Sequence, residues 1–261
     1  GCTAAFMEML ARLLPQPAMR QTVLAVFDQV VKAGEAVHRI LASGIIPAKI
    51  ELMDNWIIRR IEEMMPLGLP TNADAILLFE CDGLPETVTK ECAAVIDLSR
   101  QAGAVSVRAA ENAREAENFW TARRAGFSAI FGHAKTVLAE DVTVPITRIP
   151  ELIDRVRKLS REHNLTIVII GHAGDGNLHP SILTDKHNIG HFTVAERVME
   201  AIFSAALELG GVVSGEHGIG LEKRRFLKQA MEPEAIALLR SIKNVFDPKG
   251  ILNPGKIWED A

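Results

Sequence analysis

Two stretches of this sequence combine residue types and spacings that can do chemistry. The run Gly171-His172-Ala173-Gly174-Asp175-Gly176-Asn177-Leu178-His179-Pro180 follows an apolar segment and contains Asp-Gly, a preferred two-residue hairpin turn. With Asp175 and Gly176 at the turn, His172 faces His179. Directly opposed residues on one face have Cβ atoms about 4.5–5.5 Å apart, so two imidazoles can share one metal ion. A glycine-rich turn that merely carries two histidines is the bland alternative; their register, beside Asp175 and Asn177, favours the site. A third ligand is expected from Ser214-Gly215-Glu216-His217-Gly218-Ile219-Gly220, where glycines on both sides let the backbone approach a ligand closely. In extended backbone, neighbouring side chains point to opposite faces. Glu216 and His217 are therefore expected to divide the work, one holding metal and the other facing substrate. Taken alone, this second run reads equally well as a polar loop.

Weaker signals lie elsewhere. Trp120-Thr121-Ala122-Arg123-Arg124 falls on a helical pattern, with Lys135 beyond it. A solvated basic face is the ordinary reading, and a guanidinium clamp for a substrate carboxylate the functional one. Near the C-terminus, Phe246–Lys256 is dense in turn formers, and its Asn253 and Lys256 can hydrogen-bond a cofactor ring. His38, His133, His163, His187 and His191 have no comparable setting and read as incidental.

Composition narrows the class. Apolar residues make up 48% and charged residues 24% of 261, the ordinary globular range, and no apolar run approaches the ~20 residues of a membrane span. A net charge of −4 and no basic stripe give no reason to expect nucleic acid. Cys2, Cys81 and Cys92 are too few and scattered for a disulfide framework or thiolate zinc site, and the odd count fits a reducing compartment. Tyrosine is absent, so no step can rest on a phenol.

The elements that must position these residues alternate along the chain. Strands are expected at 22–27, 49–53, 75–80, 104–108, 137–144, 166–170 and 181–183. Helices are expected at 28–41 (capped by Asp28), 56–65, 86–102, 111–127, 149–163, 193–209 and 233–246. The pattern suggests βαβ-type units, and the similarity of its halves suggests two related α+β units in one body. Residues 6–13 alternate like a strand that stops at Pro15 and Pro17 and has no partner upstream, which reads as a severed domain edge.

The motifs GHAGDGNLHP at 171–180, SGEHGIG at 214–220 and FDPKGILNPGK at 246–256, with Trp120 and Arg123, are specific. Over essentially its whole length the chain resembles the C-terminal region of the FAD-linked oxidase family, which includes the glycolate oxidase D subunit, D-lactate dehydrogenases and D-2-hydroxyglutarate dehydrogenase. The resemblance implies an α+β, ferredoxin-like cap at 18–261, an antiparallel sheet covered by helices with a C-terminal helical segment. Residues 1–17 would be the remnant of an upstream FAD-binding domain. It further implies a divalent metal, often zinc, on His172, His179 and Glu216, with His217 as the base taking a hydroxyl proton. Arg123 would bind the substrate carboxylate, with Asn177 and Lys135 in the substrate pocket and Asn253 and Lys256 toward the flavin. The implied reaction oxidises a small 2-hydroxy acid to a 2-oxo acid by hydride transfer to FAD. The fragment alone is expected to be inactive. The implied setting is the cytoplasm, peripheral to the inner membrane through other oxidase subunits or an iron–sulfur partner. Residues 127–140 depart from the aromatic-rich stretch of glycolate-oxidising members, leaving the hydroxy acid open. A free-standing divalent-metal hydrolase and a non-catalytic subunit of the same fold are the alternatives.

Overall fold

A computed structural model describes residues 2–258. The first half runs β1 (Met19–Phe27), α1 (Val30–Ala42), β2 (Lys49–Asp54), α2 (Asn55–Met64), β3 (Ala75–Gly83), α3 (Pro85–Gln101) and β4 (Ser106–Ala109). After α4 (Ala113–Phe131) come β5 (Thr136–Ala139), β6 (Val142–Thr143), α5 (Ile149–Glu162), β7 (Ile167–His172), β8 (Asn177–Thr184) and α6 (Ile189–Glu208). The short α7 (Leu227–Ala230) and α8 (Pro233–Phe246) follow. All eight strands form one sheet ordered β4-β1-β3-β2-β7-β8-β5, with β6 also paired to β8. Every ladder is antiparallel. The fold is thus α+β.

The two halves share one plan. β1 to β4 lie in the order 4-1-3-2, with α1 and α3 as the crossovers, which is the ferredoxin-like arrangement. In the second half β6, α5, β7, β8 and α6 repeat that path, and its fourth strand shrinks to one bridge, Val212 to Thr143. The halves join where β2 pairs with β7. Asp54, completely buried at that seam, accepts from Ile57 N (3.3 Å), capping α2, and from Ile169 N of β7 (2.8 Å).

Alternation along the strands sorts side chains between two layers. One face of β2, with Ile50 and Leu52, packs with α1, α3, α5 and α6; the other, with Met53, joins Val168 and Ile170 of β7 beneath α2 and α4. Trp120 fixes α4 in place, its indole N–H donating to Thr22 Oγ1 of β1 at 2.9 Å.

Three local expectations change. Residues 6–13 form no strand, and Phe6 and Leu10 stand in solvent, because alternation without a partner edge leaves backbone hydrogen bonds unmade. Helix α1 is capped by Asp74 rather than Asp28: Val30 N donates to Asp74 Oδ2 at 2.7 Å, while Asp28 pairs with Lys32. The single strand expected at 137–144 is broken into β5 and β6, and Asp141, between them, turns fully inward. Among the described residues, no helix is long and apolar enough to cross a membrane.

Candidate functional site

The β7–β8 hairpin differs from a two-residue turn. Ala173–Asp175 make a turn of 3-10 helix and Gly176 closes it at φ +74°. A Cβ at 176 would also lie 2.1 Å from the Val144 carbonyl oxygen, so glycine is required twice over. The longer turn shifts the register by two residues. His172 pairs with Asn177 and His179 with Ile170, so the histidines are diagonal rather than opposed. A shift of two preserves the face, because side chains alternate with period two. The imidazoles still meet, with ring centroids 5.3 Å apart.

Glu216 arrives from the loop after α6. Its Oε1 lies 3.4 Å from His172 Nε2 and 3.2 Å from His179 Nε2, and it accepts from Asn177 Nδ2 at 3.2 Å. His172, His179 and Glu216 each offer a ligand atom, all within 4.8 Å of one another. His179 is buried and neither ring nitrogen has a hydrogen-bond partner, the situation of a ligand rather than a satisfied core histidine. Burial, with His172, His217 and Arg123 nearby, lowers its pKa to about 4, so the ring is neutral and its lone pair is available near pH 7. Two imidazoles and a carboxylate fit a borderline divalent ion with positions left over for substrate.

The 214–218 loop is bent, not extended. Its anchor is Asp141, whose Oδ2 accepts from Gly215 N (2.6 Å), Glu216 N (2.7 Å) and His217 N (3.2 Å). Both neighbours therefore reach the cluster, correcting the expectation of opposite faces. Glu216 lies against the two histidine nitrogens. His217 stacks on His179 with centroids 5.3 Å apart, its Nδ1 3.3 Å from Asp141 Oδ1. Lys223, completely buried, forms an ion pair with Asp141 and donates to its carbonyl at 3.0 Å. Burial alone would raise the pKa of Asp141, but the Lys223 contact and the loop N–H groups hold its carboxyl well below the usual range.

Arg123 lies one turn beyond Trp120 and is buried over the same face. Its Nε donates to Glu51 Oε2 at 2.8 Å, while Nη2 is buried without an acceptor. Glu51 Oε1 in turn lies 2.8 Å from His172 Nδ1.

A family model described as FAD linked oxidases, C-terminal domain, matches residues 16–257. The chain belongs to this family. Glycolate oxidase subunit GlcD of Escherichia coli is 40% identical over 249 residues, covering 95% of this chain and 50% of that protein. GlcD of Bacillus subtilis is 37% identical over 251 residues, 96% and 53% respectively. D-lactate dehydrogenase of Anaerostipes hadrus is 30% identical over 267 residues, 98% and 56%. The chain thus spans about half the length of these relatives. Among solved structures, p-cresol methylhydroxylase superposes with a TM-score of 0.70 at 13% identity, covering 95% of this chain and 54% of that one. The 4-ethylphenol oxidase of Gulosibacter chungangensis gives 0.66 at 17%, covering 95% and 56%. At such identities these likenesses speak for the fold alone.

In this FAD-linked oxidase domain the structure brings together His172, His179, Glu216, His217, Asn177 and Arg123. Lys135 is elsewhere. It is 78% exposed and pairs with Asp185, six residues past His179 and about 20 Å along the direction of β8. Asn253 and Lys256 lie in the loop after α8, Lys256 N donating to the Asn253 carbonyl at 3.3 Å. That loop is tied to the glutamate–histidine loop by Ile257 N donating to Gly220 O at 2.8 Å. Sequence reasoning missed Glu51, Asp141 and Lys223. Glu51 carried a faint signal, a charged residue inside an otherwise apolar strand; Asp141 and Lys223 carried none.

Proposed function

We propose that this chain is the substrate- and metal-binding part of an FAD-dependent 2-hydroxy-acid dehydrogenase of the glycolate/D-lactate type. The observation that carries the reading is the convergence of His172, His179 and Glu216, with both His179 ring nitrogens buried and making no hydrogen bond. These three residues would hold a divalent ion, for which zinc suits the donors. When bound, the ion supplies a Lewis acid beside the substrate hydroxyl, and FAD, held mostly by a domain upstream of this one, supplies the two-electron acceptor.

The chain's own residues do the rest. Arg123 Nη2, buried and without an acceptor, orients the substrate carboxylate. Asn177 hydrogen-bonds Glu216 and borders the same space. With Nδ1 against Asp141, His217 presents Nε2 to take the hydroxyl proton, and Asp141 fixes the ring's direction. Phe127 packs edge-on against His179, with ring centroids 5.6 Å apart. Asn253 and Lys256 are assigned to the flavin side through the tie between their loop and Gly220. Exposed apolar side chains on α8, among them Leu238, Val245 and Phe246, support a covering partner such as the flavin domain. On this reading the isolated chain is colourless and oxidises no hydroxy acid. Further oxidase subunits or an iron–sulfur partner, and a cytoplasmic setting, complete the proposal.

Elemental analysis of metal-loaded, dialysed protein tests it. Parent protein should retain about one ion, and His172→Ala and His179→Ala should lose it; retention by both variants would sink the site. In the full-length protein His217→Asn should keep the metal yet slow flavin reduction by roughly 10²–10⁴-fold in stopped flow. An unchanged rate would remove His217 from the mechanism.

A further inference from the structure

Glu51 is a charged side chain where the fold asks for an apolar one. It lies on β2 near the middle of the sheet, directly paired across the strands with His172 on one side and Leu78 on the other. Its side chain is 12% exposed and shares a face with Met53, which belongs to the apolar layer beneath α2 and α4. Burying a carboxylate there costs several kcal/mol unless charged partners offset it. Both of its oxygens are used. Oε1 meets His172 Nδ1 and Oε2 meets Arg123 Nε, each at 2.8 Å.

We propose that Glu51 is a positioning residue for the metal site, holding the His172 ring by Nδ1 so that Nε2 faces His179 and Glu216. This rests on reading His172 as a metal ligand. The cross-strand pairing sets the reach, since opposed Cβ atoms stand about 4.5–5.5 Å apart and leave the carboxylate at the ring's edge. An acceptor at Nδ1 fixes the tautomer with the proton on that nitrogen and the lone pair on Nε2, the nitrogen 3.4 Å from Glu216 Oε1. Arg123, donating from Nε to Oε2, stops the carboxylate from turning away. Folding stability does not by itself explain the arrangement, because a buried ion pair replaced at both positions by apolar residues is often neutral or stabilising. Function in the site does explain it.

The test uses the full-length protein with Zn²⁺ alone, titrated against a chromophoric chelator, for Glu51→Gln, Glu51→Leu, Glu51→Leu with Arg123→Leu, and His172→Ala, with urea unfolding of each metal-free variant. Zn²⁺ affinity should fall about 10–100-fold in both Glu51 variants, the usual effect of losing such a support. Glu51→Leu leaves Arg123 buried without its partner and should lower the urea midpoint, and adding Arg123→Leu should restore the midpoint while Zn²⁺ affinity stays low. Co²⁺ bound to Glu51→Gln should show a d–d spectrum altered from the parent's. If His172→Ala binds Zn²⁺ as tightly as the parent, the metal reading itself fails. If His172→Ala loses the ion while both Glu51 variants keep parent affinity, the metal site stands and the role of Glu51 is refuted. If Glu51→Leu with Arg123→Leu recovers the parent's Zn²⁺ affinity along with its urea midpoint, Glu51 is a folding residue and the proposal is overturned.

Discussion

Asp54 and Asp141 are both completely buried, yet their surroundings move them in opposite directions. Burial dominates at Asp54 and raises its pKa to about 6, because Arg157 stays 3.6 Å away and only partly offsets it. At Asp141 burial is outweighed by direct contact with the buried Lys223 and by the loop N–H groups, and the carboxyl lies well below the usual range. The difference separates two uses of one side chain. At the β2–β7 seam an acceptor for two N–H groups suffices, and a neutral carboxyl can still accept. The 214–218 loop instead depends on a charge, since it offers three backbone N–H groups and a lysine to one anion.

Asp141→Ala should show the largest effect. It leaves Lys223 buried without its partner and should destabilise by about 3–5 kcal/mol in urea unfolding. Adding Lys223→Met should recover part of the loss. A cost under about 1 kcal/mol would mean that charge is not what anchors the loop.

Asp54→Ala comes next, expected at about 1–3 kcal/mol for two stranded N–H groups, with Zn²⁺ affinity near the parent's. An effect larger than that of Asp141→Ala would invert the comparison.

Acidity sharpens it further. A carboxyl raised to about 6 from 3.8 binds more protons in the folded state, so Asp54 adds stability as pH falls from 7 to 5, about 1 kcal/mol. Asp54→Asn should therefore cost more at pH 5 than at pH 7. Asp141 is depressed, so its contribution is fully present above the unfolded value near 3.8 and is lost only as pH falls through the folded one. The cost of Asp141→Asn should be flat between pH 5 and 7. Parallel pH trends for the two variants would refute the distinction.

The smallest effect is expected away from both sites. Lys135→Ala removes an exposed pair with Asp185 and should leave the urea midpoint, Zn²⁺ affinity and substrate KM unchanged. A raised KM alone would return Lys135 to the substrate pocket.

Local periodicity was enough to place the principal strands and helices and to suggest two related halves, hairpin spacing drew attention to His172 and His179, and the glycine-flanked motif with the family resemblance added Glu216 and His217. The spacing tolerated its own error at the hairpin, because a two-residue register shift keeps both histidines on one face. Periodicity could not foresee the break between β5 and β6, since Glu140-Asp141 looks like an ordinary polar step in an extended run. Nor could it name the supports. Glu51 meets His172 across 121 positions, Lys223 meets Asp141 across 82, and α1 is capped by Asp74 from 44 positions away. Hydrophobic pattern is a local property, repeated every two or 3.6 residues, so it is written in the sequence. Which carboxylate meets which buried donor depends on strand order and on how the two halves join at β2 and β7, and the folded chain alone decides that.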